Sequence, residues 1–326
     1  MTRQALVTGA GGFIGSHLVE AIVRAGTRVR ALVHYNSAGT RGHLDGLPRD
    51  VVDAVEIVAG DIADAACVQA VVRGCDRVYH LAALIGIPYS YRAPQSYVRT
   101  NIGGTLNVLD ACRDAGVERL VHTSTSEVYG SPQSIPIDES HRLRAQSPYA
   151  ATKSAADLLA LSYHASFRLP VTVIRHFNTY GPRQSARAVI PTVIMQAITT
   201  GRVMLGSTGT VRDFLFVEDT VRGYLAASTA GGVEGEVIQL GTGLGTPIAA
   251  LVEAVAAILG QRLEVAADPR RVRPEASEVD RLVCNADRAR RLLHWSPTVD
   301  LSTGLTRTVD WIRSHAERYR PEEYAV

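Results

Sequence analysis

A glycine-rich turn near the start of the chain constrains the fold more than any other segment of the sequence. An apolar stretch at residues 5–8 leads into Gly-Ala-Gly-Gly-Phe-Ile-Gly, a helical apolar pattern follows, and a second apolar stretch occupies residues 29–33. Strand, glycine-rich turn, helix and strand in this order are typical of a dinucleotide-binding unit, in which the pyrophosphate lies against the helix N-terminus. The residues that we expect at the pyrophosphate are Gly9, Gly12, Phe13, Ile14 and Gly15.

The end of the second predicted strand bears on which dinucleotide is bound. A carboxylate at this position would bind the ribose 2′-hydroxyl of NAD, but the strand ends in His-Tyr-Asn-Ser, with no acid and no arginine directly there. This pattern leaves the choice between NAD and NADP open. Further along, an aspartate ends the third strand and small residues follow the fourth. The cofactor contacts predicted from these three strand ends are His34, Asn36, Ser37, Asp61, Ile62, Leu81, Ala82 and Ala83.

A second group of polar residues follows the fifth predicted strand. Thr125, Ser126 and Glu127 come at its carboxyl end, where open parallel sheets bind their ligands. Tyr149 and Lys153, the only lysine in the chain, are four residues apart at the start of a predicted helix and therefore share one face. Because an ammonium beside a phenol favours the phenolate, the sequence predicts a lowered pKa for Tyr149 and a role as a catalytic base.

Strand and helix patterns alternate as far as residue 177, which predicts an α/β fold with a doubly wound parallel sheet. A turn is predicted at residues 178–183, and the alternation then weakens. We therefore predict a dinucleotide-binding domain over residues 1–177 and a smaller, α-rich substrate-binding domain over residues 178–326. The helices predicted in the second domain are residues 251–259, 286–293 and 301–312.

The substrate contacts are predicted from loops. Residues 84–91 form an apolar, aromatic loop after the fourth strand that could line a pocket. Three arginines in later loops would clamp a diphosphate if they met in one cleft, because guanidinium groups bind phosphate oxygens in pairs. The predicted substrate-binding residues are Ile85, Pro88, Tyr89, Asn178, Arg187, Arg212, Arg273 and Glu278.

Composition argues against several other classes of protein. A net charge of +2 is too small to indicate binding to nucleic acid or to an anionic membrane. No apolar run is long enough to cross a bilayer, and the N-terminal residues enter a strand without the pattern of a signal peptide. The four cysteines lack the spacing of metal ligands, so we expect no metal site and a cytoplasmic protein.

Taken together, the motifs resemble those of the extended short-chain dehydrogenase/reductase family, in its nucleotide-sugar 4,6-dehydratase and epimerase branch. They are G-A-G-G-F-I-G, G-D-I, H-L-A-A, T-S-T-S-E-V-Y-G, S-P-Y-A-A-T-K, F-N-T-Y-G-P-R, R-D-F-L-F-V-E-D-T and R-P-E-A-S-E-V. The Thr-Ser-Glu of residues 125–127 is similar to that of GDP-mannose 4,6-dehydratases, whereas dTDP-glucose 4,6-dehydratases carry Thr-Asp-Glu. Two further segments, A-L-I-G-I-P-Y-S-Y and G-P-R-Q-S-A-R-A-V-I-P, most resemble bacterial N-acetylglucosamine-nucleotide 4,6-dehydratases of the legionaminic-acid type.

The resemblance implies a Rossmann-like fold with a discontinuous substrate domain, in which residues 212–242 partly return to the main sheet. It also implies a tightly bound, recycled NAD or NADP and a homodimer formed through the helices near Asn101 and Tyr149. GDP-mannose dehydratases that use NADP carry arginines where this chain has His34 and Tyr35. This difference favours NAD slightly.

The reaction that the resemblance implies is the 4,6-dehydration of a nucleotide-diphosphate sugar. Tyr149, supported by Lys153 and Thr125, takes the proton of the C4 hydroxyl while the C4 hydride goes to the nicotinamide. Glu127 removes the C5 proton, and water leaves from C6 with a proton from Glu127 itself or through Ser126. The hydride then returns to C6, which gives a 4-keto-6-deoxy sugar nucleotide.

Three alternatives stay open at this point. An epimerase, at C4 or another carbon, needs no acid beside the oxidising pair, so Glu127 distinguishes it from a dehydratase. A nucleotide-uronate decarboxylase also carries Thr-Ser-Glu-Val-Tyr-Gly, and Arg187 could bind its carboxylate. A non-catalytic dinucleotide-sensing protein on the same fold is the third, although such proteins commonly lose the tyrosine–lysine pair.

Overall fold

The computed structural model describes residues 3–319, and strands form its centre. In chain order the strands are β1 (Gln4–Thr8), β2 (Arg28–His34), β3 (Val55–Gly60), β4 (Arg77–His80), β5 (Arg119–Thr125), β6 (Val171–His176), β7 (Asn178–Tyr180), β8 (Arg202–Leu205), β9 (Val211–Phe216), β10 (Val237–Leu240), β11 (Gly245–Pro247), β12 (Glu264–Ala267) and β13 (Arg281–Leu282). Within the described residues, the largest sheet has seven strands in the order β10-β6-β5-β4-β1-β2-β3. All of its neighbouring strands are parallel.

Helices cover both faces of this sheet. In chain order, the α-helices of the described residues are α1 (Phe13–Arg24), α2 (Arg49–Val52), α3 (Ala65–Val72), α4 (Ile87–Arg92), α5 (Pro94–Tyr97), α6 (Gly104–Ala115), α7 (Pro148–Phe167), α8 (Val189–Thr200), α9 (Val217–Thr229), α10 (Ile248–Leu259), α11 (Asp287–Leu293) and α12 (Leu301–Ser314). Helices α1 and α9 pack together on one face, whereas α3, α6 and α7 pack side by side on the other. The predicted Rossmann-like, doubly wound parallel sheet is therefore confirmed. In such a sheet, ligands bind beyond the carboxyl ends of the strands, where the chain order reverses between β1 and β4.

The chain after β6 forms strands as well as helices. Strand β9 pairs with β7, β11 and β13, and β8 pairs with β12. Residues 178–180, predicted as part of a turn, are instead strand β7, because they pair in register with the last residues of β9. After β9 the chain returns to the main sheet, where α9 packs on α1 and β10 pairs with β6. The division into two domains at residue 177 stays a prediction, and its last residues, 320–326, lie outside the described part of the chain.

Candidate active site

The end of β5 presents the first group of site residues. Thr125 is the last residue of the strand, and its Oγ1 accepts a hydrogen bond of 3.2 Å from the backbone nitrogen of Glu127. This bond caps a short 3-10 turn, Ser126–Tyr129, which satisfies a backbone donor that the strand end leaves free. Ser126 is buried, whereas Glu127 remains partly accessible. The turn thus holds the hydroxyl and the carboxylate side by side at the edge where ligands bind.

Helix α7 brings Tyr149 to the same place. Ser147 accepts a hydrogen bond from the backbone nitrogen of Ala150, and Pro148 is the first helical residue. Both residues are strong helix-start signals, so the helix begins one residue before Tyr149. The Tyr149 ring is buried and meets the edge of the Tyr97 ring, with 6.4 Å between the ring centroids.

The prediction that the pKa of Tyr149 is lowered is wrong for the protein without cofactor and substrate. Burial raises the pKa of Tyr149; a hydrogen bond with Thr125 lowers it, and the negative charge of Glu127 raises it again. Lys153 is also buried, and its Nζ donates a hydrogen bond of 2.5 Å to the backbone oxygen of Thr123. Burial lowers the pKa of Lys153 to about 8. The sequence places the two side chains on one helix face, but burial outweighs the attraction between their charges.

The glycine-rich turn has the shape that a dinucleotide pyrophosphate requires. Gly9 has φ of +69°, and a Cβ there would lie 2.8 Å from the backbone nitrogen of Ala82. A Cβ on Gly15 would lie 2.2 Å from the backbone oxygen of Gly9. Helix α1 has no side-chain cap at Gly12 and no acid in its first turn, which begins with Phe13. Its first backbone amides are therefore available to an anion, and the residues present fit a dinucleotide.

The ends of neighbouring strands lie beside this predicted dinucleotide site. Thr8 Oγ1 accepts hydrogen bonds of 3.1 Å from the backbone nitrogens of Leu81 and Ala82, which holds the end of β4, with Ala83 next, beside the glycine turn. Ile62 is buried against Gly104.

The predicted cofactor contacts at the ends of β2 and β3 lie at the carboxyl edge of the main sheet. His34 and Ser37 are exposed, and the Asn36 side chain bonds the backbone of Thr40 at 2.8 Å. Asp61 Oδ1 accepts a hydrogen bond from the backbone nitrogen of Ala63 at 2.9 Å. This edge offers amide, imidazole and hydroxyl groups to a ribose. Their contact with a cofactor stays a prediction.

Two of the three predicted phosphate-binding arginines meet on one carboxylate. Arg212 Nη2 lies 3.4 Å from Glu278 Oε1, and Arg273 Nη1 lies 3.7 Å from the same oxygen. Burial lowers the pKa of Arg212, and the negative charge of Glu127 acts in the opposite direction. The pair of guanidinium groups is therefore within electrostatic reach of the β5 turn. This arrangement could bind a diphosphate next to the reacting sugar.

The third arginine, Arg187, has different neighbours. Its Nε bonds Ser185 Oγ at 3.3 Å, and its Nη1 lies 3.7 Å from the position of a Cβ on Gly86. Gly86 belongs to the segment predicted as an apolar loop, but residues 87–91 of that segment are instead part of helix α4, which begins at Ile87 with Pro88 in its first turn. Ile85 and Tyr89 are exposed. Arg187 also lies near Tyr97, whose ring packs against Tyr149. Asn178, on β7, has a buried Oδ1 without a hydrogen-bond partner.

Two residues hold the segment after β4 in position: Asn101, for which the sequence suggests a backbone contact, and Tyr97, which sequence reasoning missed. Asn101 lies in a π-helical turn, Val98–Gly103, and bonds the backbone nitrogen and oxygen of Leu84 at 2.8 and 3.0 Å and Thr152 Oγ1 at 3.1 Å. Tyr97 donates a hydrogen bond of 2.5 Å to the backbone oxygen of Gly86.

A second link joins the loop to the catalytic helix. Tyr91 bonds Ser277 Oγ at 2.5 Å, and Ser277 donates to the backbone oxygen of Gln146, next to the start of α7. Tyr91 and Ser277 are 186 residues apart in the chain, so no local pattern signals their contact.

Two findings concern metal ions and membranes. Within residues 3–319, no cluster of three or more histidine, cysteine, aspartate or glutamate side chains could hold a metal ion. Over the same range, no helix is both long enough and apolar enough to pass through a membrane.

The fold and the Tyr149–Lys153 pair define a dinucleotide-dependent enzyme of the short-chain dehydrogenase/reductase type. The family model for GDP-mannose 4,6-dehydratase matches residues 6–308, so the chain belongs to this family of nucleotide-sugar dehydratases and epimerases, as its motifs predict. A dTDP-glucose 4,6-dehydratase of Streptomyces griseus is 37% identical and covers 98% of this chain and 97% of its own. A UDP-glucose 4-epimerase of Mycolicibacterium smegmatis is 34% identical over 96% of this chain and 99% of its own. The crystal structure of DesIV, a dTDP-glucose 4,6-dehydratase from Streptomyces venezuelae, was determined with NAD bound. It superposes on this chain with a TM-score of 0.87 at 34% identity, and the match covers 98% of this chain and 99% of DesIV.

Proposed function

We propose that the protein is a nucleotide-sugar 4,6-dehydratase that forms a 4-keto-6-deoxy sugar nucleotide. The observation that carries this proposal is the position of Glu127 in the same capped turn as Thr125, next to Tyr149, whose pKa Thr125 lowers and Glu127 raises. A carboxylate beside the oxidising pair is what elimination needs and what 4-epimerisation does not. The dehydratase relative from Streptomyces griseus, 37% identical over nearly the whole chain, supports the same conclusion.

Each site residue has a role in this reaction. Tyr149 accepts the proton of the C4 hydroxyl, and Thr125 hydrogen-bonds the C4 oxygen. The resulting ketone makes the C5 hydrogen acidic, and Glu127 removes it. Ser126 occupies the position at which dTDP-glucose 4,6-dehydratases carry an aspartate. A serine hydroxyl is too weak an acid to protonate the departing hydroxyl alone. Glu127 therefore both removes the C5 proton and delivers a proton to the departing C6 hydroxyl. When the hydride returns to C6, C5 takes up a proton that replaces the one lost with water.

We infer that the cofactor is NAD. No arginine at the end of β2 is placed to pair with a 2′-phosphate, since His34 and Tyr35 occupy that position. The relative DesIV binds NAD in its crystal structure. The bound nicotinamide would accept the hydrogen from C4 and return it to C6, so that it is recycled in each turnover. The glycine turn and the α1 N-terminus would hold its pyrophosphate.

The substrate that fits this site is a nucleotide-diphosphate sugar. Arg212 and Arg273 supply two guanidinium groups on one side of Glu127. Arg187 lies beside the loop that carries Ile85 and Tyr89, and this loop would contact the sugar or the base.

A product assay tests the function. The purified protein is incubated with UDP-, GDP-, CDP- and dTDP-hexoses, including N-acetylglucosamine nucleotides, and the products are analysed by mass spectrometry and NMR. We expect one nucleotide series to give a product lighter by one water. A product of unchanged mass with shifted sugar signals would instead identify an epimerase, the function of the Mycolicibacterium smegmatis relative. Loss of carbon dioxide from a uronate would identify a decarboxylase.

We also propose that the protein forms a homodimer through α7 and the helical segment α5–α6. Large apolar side chains on both are exposed, with fractions of 60% for Leu158 and 52% for Phe167 on α7, and Leu106 is exposed on α6. Such a surface is typical of an interface between copies. We expect light scattering to give the mass of a dimer and Leu158→Arg to give a monomer. Leu244→Arg, the same change at an exposed leucine elsewhere, should leave the dimer intact. A wild-type monomer would refute the proposal. The cytoplasmic location stays a prediction from the sequence.

A further inference from the structure

A buried carboxylate lies next to Lys153. Asp157 follows Lys153 by one turn of α7, and its side chain has no exposed surface. Its Oδ2 accepts hydrogen bonds from Ser124 Oγ at 2.7 Å and from Arg175 Nε at 3.0 Å. His122 Nε2 lies 3.3 Å from Oδ1, a contact without hydrogen-bond geometry. Burial tends to raise the pKa of Asp157, but the polar contact with His122 and the positive charges of Arg175 and Lys153 lower it overall, so the carboxylate is ionised at neutral pH.

Lys153 depends on this carboxylate for its charge. Its ammonium bonds the backbone oxygen of Thr123, the residue between His122 and Ser124 on β5. Burial lowers the pKa of Lys153, and Asp157 acts in the opposite direction. The titratable groups whose charges interact with this ammonium are His80, His122, His176 and Asp157. Arg175 on β6 pairs with Asp157, and Tyr149 precedes Lys153 by one turn of α7.

The three imidazoles around Lys153 do not supply charge. Burial lowers the pKa of His80, His122 and His176, and the charge of Lys153 lowers each of them further. They are therefore neutral near pH 7. Asp157 is then the negative charge that Lys153 and Arg175 share, and the small group of buried charges carries a net positive charge. Isolated buried charges are costly, so a cation at this position requires such a partner.

We propose that Asp157 is a positioning residue of the catalytic site, which keeps Lys153 charged at the Thr123 carbonyl and divides its own charge between Lys153 and Arg175. The catalytic consequence rests on the proposed dehydration. In that reaction the C4 oxygen ends as a ketone, so Tyr149 keeps the proton of the C4 hydroxyl. C5 takes up one proton when the hydride returns to C6, and Tyr149 must give up its own proton, to C5 or to solvent, before the next turnover. A charged Lys153 near Tyr149 favours this release, because a nearby cation stabilises the phenolate.

The single lysine makes the proposal directly measurable. Protein grown with lysine carrying ¹³C at Cε gives one lysine resonance, that of Lys153, whose pKa is then read by NMR titration without substrate. We expect a wild-type pKa of about 8. Asp157→Asn should lower it by about one unit or more, because an opposite charge is lost. Asp114→Asn, the same change at an exposed position on α6, should leave it unchanged.

A second variant distinguishes this role from a structural one. Arg175→Gln removes the other cation on Asp157, so the pKa of Lys153 should rise, opposite to its change in Asp157→Asn. General loosening of the core would move both variants in the same direction. An unchanged pKa in Asp157→Asn, or shifts of the same sign in both variants, would overturn the proposal. If Asp157→Asn does not fold, the absence of a rise in Arg175→Gln would overturn it.

The pH dependence of turnover gives the catalytic readout. Lys153 is charged below its pKa, so activity that depends on this charge is lost as the pH rises through about 8. In Asp157→Asn this alkaline loss should begin at lower pH, by about one unit or more, and most activity should return on the acid side. A uniform loss at every pH would contradict the role in turnover. The NMR titration tests the effect of Asp157 on Lys153 even if the product assay identifies an epimerase. The proposed role of Asp157 and the proposed dehydration can therefore be refuted independently.

Discussion

Replacing Tyr149 by phenylalanine is expected to lower turnover by about 100- to 10,000-fold, the range that a positioned acid–base group contributes. The variant loses the group that accepts the proton of the C4 hydroxyl, and with it the first step of the reaction. The rest of the site should persist, because the Tyr149 ring packs against Tyr97 through its edge and not through its hydroxyl. The measurement is the single-turnover rate of substrate conversion by the purified, cofactor-loaded protein.

A matched tyrosine controls for the loss of a buried hydroxyl. Tyr79 is also buried, and its hydroxyl donates to Ser228 Oγ at 2.7 Å. Tyr79→Phe should cost about 1 kcal/mol of unfolding free energy, as the loss of one hydrogen bond does, while turnover stays near that of the wild type. If Tyr149→Phe kept more than about a tenth of the wild-type rate, another group would be the base and the role of Tyr149 would have to be abandoned.

Replacing Glu127 by glutamine separates oxidation from elimination. The amide keeps the size of the side chain and leaves the backbone bond to Thr125 Oγ1 intact, but it cannot accept the C5 proton. We therefore expect dehydration to fall by about 100- to 10,000-fold while C4 oxidation continues. Quenched single turnovers should show reduced nicotinamide and a 4-keto sugar that has kept its C6 hydroxyl. Exchange of the C5 hydrogen with deuterated water should disappear.

Two further variants define what this result means. Glu253→Gln, the same change at an exposed position on α10, should not alter turnover. Ser126→Ala should lower the rate far less than Glu127→Gln if Glu127 itself delivers the proton to the C6 hydroxyl. Normal dehydration by Glu127→Gln would rule out its elimination role. Loss of C4 oxidation as well would mean that Glu127 acts in binding the substrate, where its charge faces Arg212.

Structural features formed by residues close together in the chain were predicted correctly from the sequence, whereas features formed by residues far apart in the chain were not. The strands of the main sheet up to β6 were predicted because each is a continuous apolar stretch between turn or helix signals. Strands β7, β11 and β13 have two or three residues each and exist because they pair with β9, from which they are distant in the chain. Such short segments have no periodicity that a sequence pattern could reveal. The turn predicted at residues 178–183 was incorrect in its first half for this reason.

The candidate site divides in the same way. Residues close in the chain, such as Thr125 with Glu127, could be placed together from the sequence, whereas the shared contact of Arg212 and Arg273 with Glu278 could not. Arg187 instead contacts Ser185 and lies beside Gly86, and the joint contact of the three arginines with a diphosphate stays a prediction.

The sequence by itself determined the family and the glycine turn and proposed the catalytic residues, because these depend on spacings of a few residues along one strand or helix. The tertiary structure alone decided the protonation of the site. The pKa of Tyr149 is raised and that of Lys153 is lowered because both side chains are buried by segments far apart in the chain. The partnership of Asp157 with Arg175 and His122 has the same origin, since it exists only where α7, β5 and β6 meet. Burial and long-range contact are properties of the packed chain, and no local pattern of residues contains them.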